Sequence, residues 1–306
     1  MNKYISLIGL GVVGAPLAKL LFDCYNNDFV LLSSDDYLDN LQNVVINCKP
    51  FKPKIISKKS ELDKSLGIVF ICTKNYQLEK VAILLDKLID RETIIVPFQN
   101  GLYSFNFFRN RYPNNFVVEG YAQGPNTRII SREYLFEKPG EFHIGTTEKK
   151  FVDAIKDVVA IMTKANVNLV YEKNIKKMIW KKLMLNVAGN YITALTGMDY
   201  KSIHNLPCAQ KILTNVMKEF LEVASSYNIS LNEDDIYETI DYFNSFSVSK
   251  KTSMLEDVIN KRKTENEFIA GYVVELAKKQ SISTPLISLL YELIKIKEFV
   301  YLNDCV

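Results

Sequence analysis

Three glycines near the start of the chain are spaced for anion chemistry. Gly9-Leu10-Gly11-Val12-Val13-Gly14 is a G-x-G-x-x-G that follows an apolar run, Tyr4–Ile8, and opens a helical pattern, Val12–Tyr25. In that setting glycine serves three ends: a tight turn, close approach of backbone to a pyrophosphate, and close packing of helix on strand. The helix N-terminus then presents free N–H groups and a partial positive charge to the anion. Pro16 falls in the first helical turn, where its missing N–H is no loss. The motif predicts a bound dinucleotide, with Gly9, Leu10, Gly11, Val12, Val13 and Gly14 around its phosphates; the plainer alternative is a structural glycine turn.

The second strand of such a unit ends on the residue that reads the adenosine ribose, an acid for NAD or a base for NADP. Here the chain runs Leu32-Ser33-Ser34-Asp35-Asp36, with no arginine. Ser33 and Ser34 can donate to a 2′-phosphate, Asp35 can accept from a 2′-hydroxyl, and the segment also reads as an ordinary Asx/Ser turn. The cofactor choice stays open at this point.

Other polar groups stand where ligands gather, at the carboxyl ends of strands. Thr73-Lys74-Asn75-Tyr76-Gln77 follows one apolar run and Gln99-Asn100-Gly101 another. Lys74 alone reads equally as a surface lysine, and Asn100-Gly101 as a turn. Further on, Lys182, Asn186 and Asn190 recur at i, i+4 and i+8 in a mostly apolar helical stretch. At about 100° per residue they form one polar stripe. If that helix is buried, each needs a partner or costs about 1–3 kcal/mol; the alternative is a stripe facing solvent. Ser253 with Glu256 fits an S-x-x-E capping box. Lys261–Lys263 with Glu265 and Glu267 reads as a charged helix face.

The elements that must position these groups fall into two halves. Strand-like runs at Tyr4–Ile8, Phe29–Leu32, Ile68–Cys72, Thr93–Pro97 and Val117–Tyr121 alternate with helical patterns at 12–25, 78–89 and 102–111. Nearly all-apolar strands in βαβ alternation imply a parallel sheet covered on both faces. Residues 122–148 break the rhythm with Gly124, Pro125, Pro139, Gly140 and Gly145, and read as hairpin-like additions to that sheet. A helix at 151–165 and a strand at 168–170 follow. Beyond about Asn174 only helical patterns remain: 175–195, 208–227, 234–243, 254–279 and 285–301. The expected fold class is α/β, a doubly wound parallel sheet over residues 1–172 followed by an all-helical domain over 173–306.

Composition removes several functions. The chain has 306 residues, 48% hydrophobic and 24% charged, which is globular rather than disordered. A net charge of +3 is too mild for a dedicated nucleic-acid binder. The longest charge-free stretches, Tyr4–Ala18 and Leu183–Met198, fall short of the roughly 20 apolar residues of a membrane span, so no membrane partner is expected. The five cysteines are scattered without a C-x-x-C, and there are two histidines, so neither a disulfide framework nor a metal site is expected. A reducing, cytoplasmic setting is the expectation.

Together these motifs resemble the ketopantoate reductase (2-dehydropantoate 2-reductase) family along essentially the whole chain. The resemblance rests on Gly9-x-Gly11-x-x-Gly14, Lys74-x-x-Gln77, Gln99-Asn100-Gly101, the Trp180-x-Lys182-Leu183-x-x-Asn186-x-x-x-Asn190 run, and Ser253-Met254-Leu255 through Thr264-Glu265. It implies a Rossmann domain followed by a helical domain, and hydride transfer from NADPH to the 2-keto group of ketopantoate, giving pantoate for pantothenate and coenzyme A synthesis. It implies Lys182 as general acid, Glu265 as a glutamate important for substrate, and Asn100, Asn186, Asn190 and Ser253 as substrate contacts. Lys74, Gln77, Asn100 and Ser33 fall on the cofactor side. The resemblance favours NADP(H); the chain departs from the family in lacking a base after the second strand, so NAD(H) is retained.

The chemistry agrees with those roles. Hydride arriving at a carbonyl carbon builds negative charge on oxygen, which an ammonium stabilises and then protonates. Neutral Asn and Ser donors hold a carboxylate and a hydroxyl without quenching the lysine. Two alternatives remain: reduction of other branched 2-keto acids such as 2-ketoisovalerate or 2-ketoisocaproate, and a non-catalytic dinucleotide sensor. A homodimer is one option for assembly.

Overall fold

The structure is a computed structural model that describes residues 2–244 and 251–303. Its contacts divide the chain into two compact units, Met1–Ile175 and Lys176–Val306.

The first unit carries twelve strands and four helices among the described residues. In chain order they are β1 (Tyr4–Ile8), α1 (Gly14–Tyr25), β2 (Phe29–Leu32), β3 (Val45–Ile46), β4 (Lys49–Pro50), β5 (Lys54–Ile56), β6 (Leu66–Ile71), α2 (Leu78–Leu88), β7 (Ile94–Pro97) and α3 (Tyr103–Arg111). There follow β8 (Glu119–Gln123), β9 (Thr127–Ile130), β10 (Glu133–Phe136), β11 (Glu141–Gly145), α4 (Val152–Lys164) and β12 (Leu169–Tyr171). Five strands form a parallel sheet in the order β5-β2-β1-β6-β7. Every residue of β1 and β2 is buried, as a strand covered on both faces must be, and the polar side chain of Ser6 donates to the Ile68 carbonyl at 2.7 Å. On one face Leu7, Phe70 and Val96 pack with Leu17 and Leu21 of α1 and Val158 and Met162 of α4. On the other, Ile8, Val69 and Ile71 pack with Val81 and Leu85 of α2 and Phe108 of α3. The sheet is therefore doubly wound.

Residues 122–148 add to that sheet only in part. Ile95 bridges to Val117 in parallel, and β8, β11 and β12 form a three-stranded sheet beyond it. The β9–β10 hairpin instead pairs with β3, in a separate sheet of order β4-β3-β10-β9. The edge strand β5 begins on a lysine and is three residues long, so it carries no period for a sequence reading to detect.

The second unit is helical throughout its described residues: α5 (Ile175–Leu185), α6 (Tyr191–Thr196), α7 (Tyr200–His204), α8 (Pro207–Ser226), α9 (Glu233–Asn244), α10 (Ser253–Ile259), α11 (Ala270–Lys279) and α12 (Pro285–Leu302). Trp180 of α5 packs edge-on against Phe220 of α8, with ring centroids 5.7 Å apart. Among the described residues no helix is long and apolar enough to cross a membrane.

Three local expectations change. The single helix over 175–195 contains a π-turn at Asn186–Asn190. A π-turn takes in an extra residue and recurs at functional positions; Gly189 inside it weakens the α preference locally. The single helix over 254–279 breaks after Ile259, with Lys261 in the left-handed region at φ 50° and a 3₁₀ turn at Asn266–Phe268. The charged helix face expected at 261–267 therefore does not form. The capping box of Ser253 is also absent. Thr252 is the N-cap, accepting from the Leu255 N–H at 3.1 Å. Its hydroxyl is buried against that of Thr193 at 2.7 Å, whereas Ser253 is exposed.

Candidate functional site

The glycine loop joins the end of β1 to α1. Gly9 lies at φ 98°, and a Cβ there would stand 2.6 Å from the Thr73 backbone nitrogen. A Cβ on Gly14 would stand 1.9 Å from the Gly9 carbonyl oxygen. Both glycines are thus required by the protein's own packing. Gly11 differs: a Cβ there meets nothing within 4 Å. Its bareness serves no internal contact, and the loop is open at the position where a phosphate would lie. Two backbone carbonyls of the loop are held from outside. Thr127 Oγ1 donates to the Val12 carbonyl at 2.7 Å, and the Tyr134 hydroxyl to the Leu10 carbonyl at 3.3 Å. The β9–β10 hairpin, expected as an addition to the parallel sheet, lies in a sheet of its own and braces the glycine loop.

The carboxyl ends of β6 and β7 lie beside this loop. The Gln99 side-chain amide donates to the carbonyls of Ile71 and Thr73, each at 3.1 Å. Its own carbonyl oxygen, Oε1, and the Thr73 hydroxyl are buried with no hydrogen-bond partner among the described residues. Buried orphans of this kind are rare in a native fold and mark where a ligand completes the bonding. Asn75 donates to the Asn100 carbonyl at 3.0 Å, which ties the two strand ends together. Lys74 is half-buried; Gln77 is exposed and accepts from the Lys74 N–H at 3.1 Å, a local turn bond. Open backbone at Gly11, a helix N-terminus and two unsatisfied polar atoms fit a dinucleotide.

At the carboxyl end of β2, Ser33 is buried and its hydroxyl donates to the Ser34 carbonyl at 3.1 Å. Strand pairing brings in a group the sequence reading missed. The Ser33 N–H donates to the Ile56 carbonyl at 3.1 Å, so β5 ends beside β2 and delivers Ser57 and Lys58. Lys58 Nζ lies 3.4 Å from Asp35 Oδ2. The Ser57 hydroxyl, and then Lys58, hold the Asp35 carboxyl below its ordinary range. A base does stand at this site; the strand order β5-β2 was the signal, and it is not local.

The second unit assembles Lys182, Asn186, Asn190 and Glu265. Adjacent lysines on α5 have opposite fates. Lys181, itself partly desolvated, pairs with Asp235 at 3.0 Å and with Glu238, and these carboxylates raise its pKa. Lys182 is half-buried, and burial of its ammonium pulls the pKa down to about 8, against which Glu265 acts upward. Glu265 is only 5% exposed. The break between α10 and α11 is what turns it inward, since its carbonyl accepts from the N–H groups of Phe268 and Ile269 at 3.0 and 3.1 Å.

In the π-turn, Asn186 and Asn190 are both buried. Asn190 Oδ1 accepts from the Tyr200 hydroxyl at 3.2 Å. Asn186 Nδ2 is buried with no partner among the described residues, so it is a donor prepared for an acceptor. Ser253 is exposed at the first residue of α10, and the Thr193–Thr252 hydroxyl contact links its N-cap to α6. A desolvated ammonium, a buried carboxylate and amide donors can protonate an oxyanion and hold a small polar acid.

Comparison with known proteins agrees with both halves. The model of "Ketopantoate reductase PanE/ApbA" matches residues 5–149, and that of "Ketopantoate reductase PanE/ApbA C terminal" matches residues 174–298. A 2-dehydropantoate 2-reductase of Streptococcus pyogenes serotype M6 is 26% identical over 97% of this chain and 98% of its own length. Among solved structures, a D-mandelate dehydrogenase with NADH and anilino(oxo)acetate superposes with a TM-score of 0.86 at 21% identity, over 97% of this chain and 99% of that one. A dimeric ketopantoate reductase from Staphylococcus aureus does so at 0.80 and 19%, over 97% and 99%. With both family models matched in order and a doubly wound sheet followed by helices, this chain belongs to the ketopantoate reductase family.

Proposed function

We propose that this chain is a nicotinamide-dependent reductase of short branched 2-keto acids, with ketopantoate as substrate and NADPH as the favoured donor. The observation that carries the reading is Lys182: an ammonium desolvated to a pKa of about 8, beside the buried Glu265 and on the helix that carries Asn186 and Asn190. A lysine near neutrality can both stabilise a developing alkoxide and release its proton.

The nicotinamide, when bound, supplies the hydride. The chain's own residues do the rest. The 9–14 loop and α1 hold the pyrophosphate. Lys74, Gln77 and Asn100 lie on the cofactor side, where Thr73 Oγ1 and Gln99 Oε1 offer unused polar atoms. Ser33 and Lys58 mark the ribose end, and Lys58 supports the NADPH choice. Lys182 donates a proton to the reduced oxygen. Asn186 donates through Nδ2 to the substrate, with Asn190 and Ser253 as further contacts, and Glu265 orients the lysine and the substrate hydroxyl. Residues 1–172 would serve as the dinucleotide domain and 173–306 as the substrate and catalytic domain.

Loss of nicotinamide absorbance with purified protein tests the reading, with ketopantoate, 2-ketoisovalerate and 2-ketoisocaproate run against NADPH and NADH. Fastest turnover with ketopantoate and NADPH supports it. Preference for another 2-keto acid or for NADH would keep the mechanism and change the substrate or donor. Cofactor binding without any turnover would favour a sensor. The likeness to a mandelate dehydrogenase makes a bulkier 2-oxo acid the second substrate to try.

We extend the dimeric state of the Staphylococcus aureus relative to this chain. The occupant proposed for the exposed stripe Leu289, Leu293, Ile296 and Phe299 on α12 is a second copy packing the same stripe.

A further inference from the structure

We propose that Tyr191 is a positioning residue whose hydroxyl ties the π-turn carrying Asn190 to the turn carrying Glu265, and so holds Glu265 against Lys182. The inference rests on the function proposed above. Tyr191 is not itself among the residues assigned to substrate or cofactor. It is fully buried, and its hydroxyl both donates and accepts, with the Asn266 carbonyl a further, longer acceptor at 3.3 Å. It donates to Asn266 Oδ1 at 2.8 Å and accepts from the Ala270 N–H at 2.9 Å. In sequence, Tyr191 follows Asn190 and Asn266 follows Glu265, so one hydroxyl joins the two site-bearing turns directly.

The remaining bonds show why a tie is needed. Residues 260–269 contain no α-helix to fix their path. Glu265 is located instead by its neighbours. The Thr264 N–H donates to Glu298 at 2.6 Å, the Asn266 N–H to Thr264 Oγ1 at 3.2 Å, and the Asn266 side-chain amide to the Tyr291 carbonyl at 2.9 Å. Tyr191 takes the acceptor that Asn266 has left. Every other bond in that set comes from the same turn or from α12; Tyr191 alone in it brings in the chain beside Asn190. Glu265 is the charged group acting on Lys182, while Glu298, Tyr291 and Glu267 act on Tyr191. A carboxylate that drifts from the ammonium loses its hold on the lysine's proton.

The test is a cycle of Tyr191→Phe, Glu265→Gln and the double variant in the full chain, carrying ¹³C-labelled lysine. The Lys182 signal is assigned by its loss in Lys182→Met, and its titration midpoint is read by NMR alongside the pH profile of kcat. Tyr191→Phe is expected to lower the Lys182 midpoint in the same direction as Glu265→Gln. It should reduce kcat about tenfold, the scale of one buried hydrogen bond, with dinucleotide affinity unchanged. In the Glu265→Gln background, Tyr191→Phe should then move the midpoint no further. An unmoved midpoint in Tyr191→Phe, or shifts that simply add in the double variant, would overturn the proposal. Should Tyr191→Phe fail to fold, Asn266→Ser removes the same bond from its other end, together with the bond to the Tyr291 carbonyl, under the same readouts. Failure of both to fold would overturn the proposal in favour of a purely structural tyrosine. Absence of 2-keto acid turnover in the parent protein would defeat the functional reading alone, since the NMR cycle needs no substrate.

Discussion

Glu265 acts on Lys182 against burial: desolvation pulls the ammonium down, the carboxylate pulls it back up, and the balance lies at about 8. Two groups 83 positions apart by their numbering thus set one proton affinity. The value suits a general acid that must hold its proton at neutral pH and yield it to an alkoxide.

The pH profile should report that balance. A lysine acid works only when protonated, so kcat is expected to fall as pH rises through about 8. Glu265→Gln removes the upward influence, so the fall should begin at lower pH. Steady-state rates at saturating substrate from pH 6 to 10 check this, and a limb that stays in place in the variant would separate Glu265 from the proton.

Lys182→Met should cut kcat by about 10²–10⁴, the usual scale of a lost acid, while leaving dinucleotide affinity intact by fluorescence titration. It should also change how stability depends on pH. The folded pKa of about 8 lies below the ordinary 10.5. Between those values the unfolded chain holds a proton that the folded chain has released, so the parent gains stability as pH rises from 8 to 10.5. After discounting for partial exposure the gain is on the order of 1–3 kcal/mol. Denaturant midpoints at the two ends of that window should show the gain in the parent and its absence in Lys182→Met.

The glycine loop should separate fold from ligand. Gly14→Ala drives a Cβ into the Gly9 carbonyl and should lower the Tm strongly. Gly11→Ala meets no protein atom, so Tm should hold while dinucleotide affinity drops. Thr127→Val removes the brace on the Val12 carbonyl and should weaken the dinucleotide by less. Equal affinity in Gly11→Ala and the parent would remove the phosphate from this loop.

Lys58→Ala should raise the Kd for NADPH about tenfold, the scale of one charge-assisted contact at an exposed site. The Kd for NADH should stay as it was, because the 2′-phosphate is the group Lys58 would meet. Equal effects on both dinucleotides would return Lys58 to a plain partner of Asp35.

Ile296→Glu, in the middle of the exposed α12 stripe, should convert a dimer to a monomer in sedimentation equilibrium without changing the helical CD signal. A parent protein that is already monomeric at tens of micromolar (about the range where a specific interface of standard size would be formed) would leave the stripe without a second copy.

Much of the site was legible because its signals are local. Gly9, Gly11 and Gly14 are spaced by the geometry of one turn, and the apolar strands and helical periods follow from backbone repeat alone. The elements that failed were those with no period of their own. The strand at 54–56 is three residues at a sheet edge, and the break after Ile259 follows no proline or glycine. Ser253 looked like the cap because it stands three before Glu256, yet Thr252 takes the role, having a buried hydroxyl partner in Thr193.

The sequence by itself determined the two-part organisation, the glycine loop between β1 and α1, and the stripe of Lys182, Asn186 and Asn190. Tertiary structure alone decided which of two adjacent lysines has its proton affinity lowered by burial, that Glu265 is buried where it acts on that lysine, and that Lys58 arrives beside Asp35. The reason is physical: periodicity and turn geometry are set by neighbours along the chain, whereas proton affinity is set by what encloses a group, and those atoms come from elements far away in sequence.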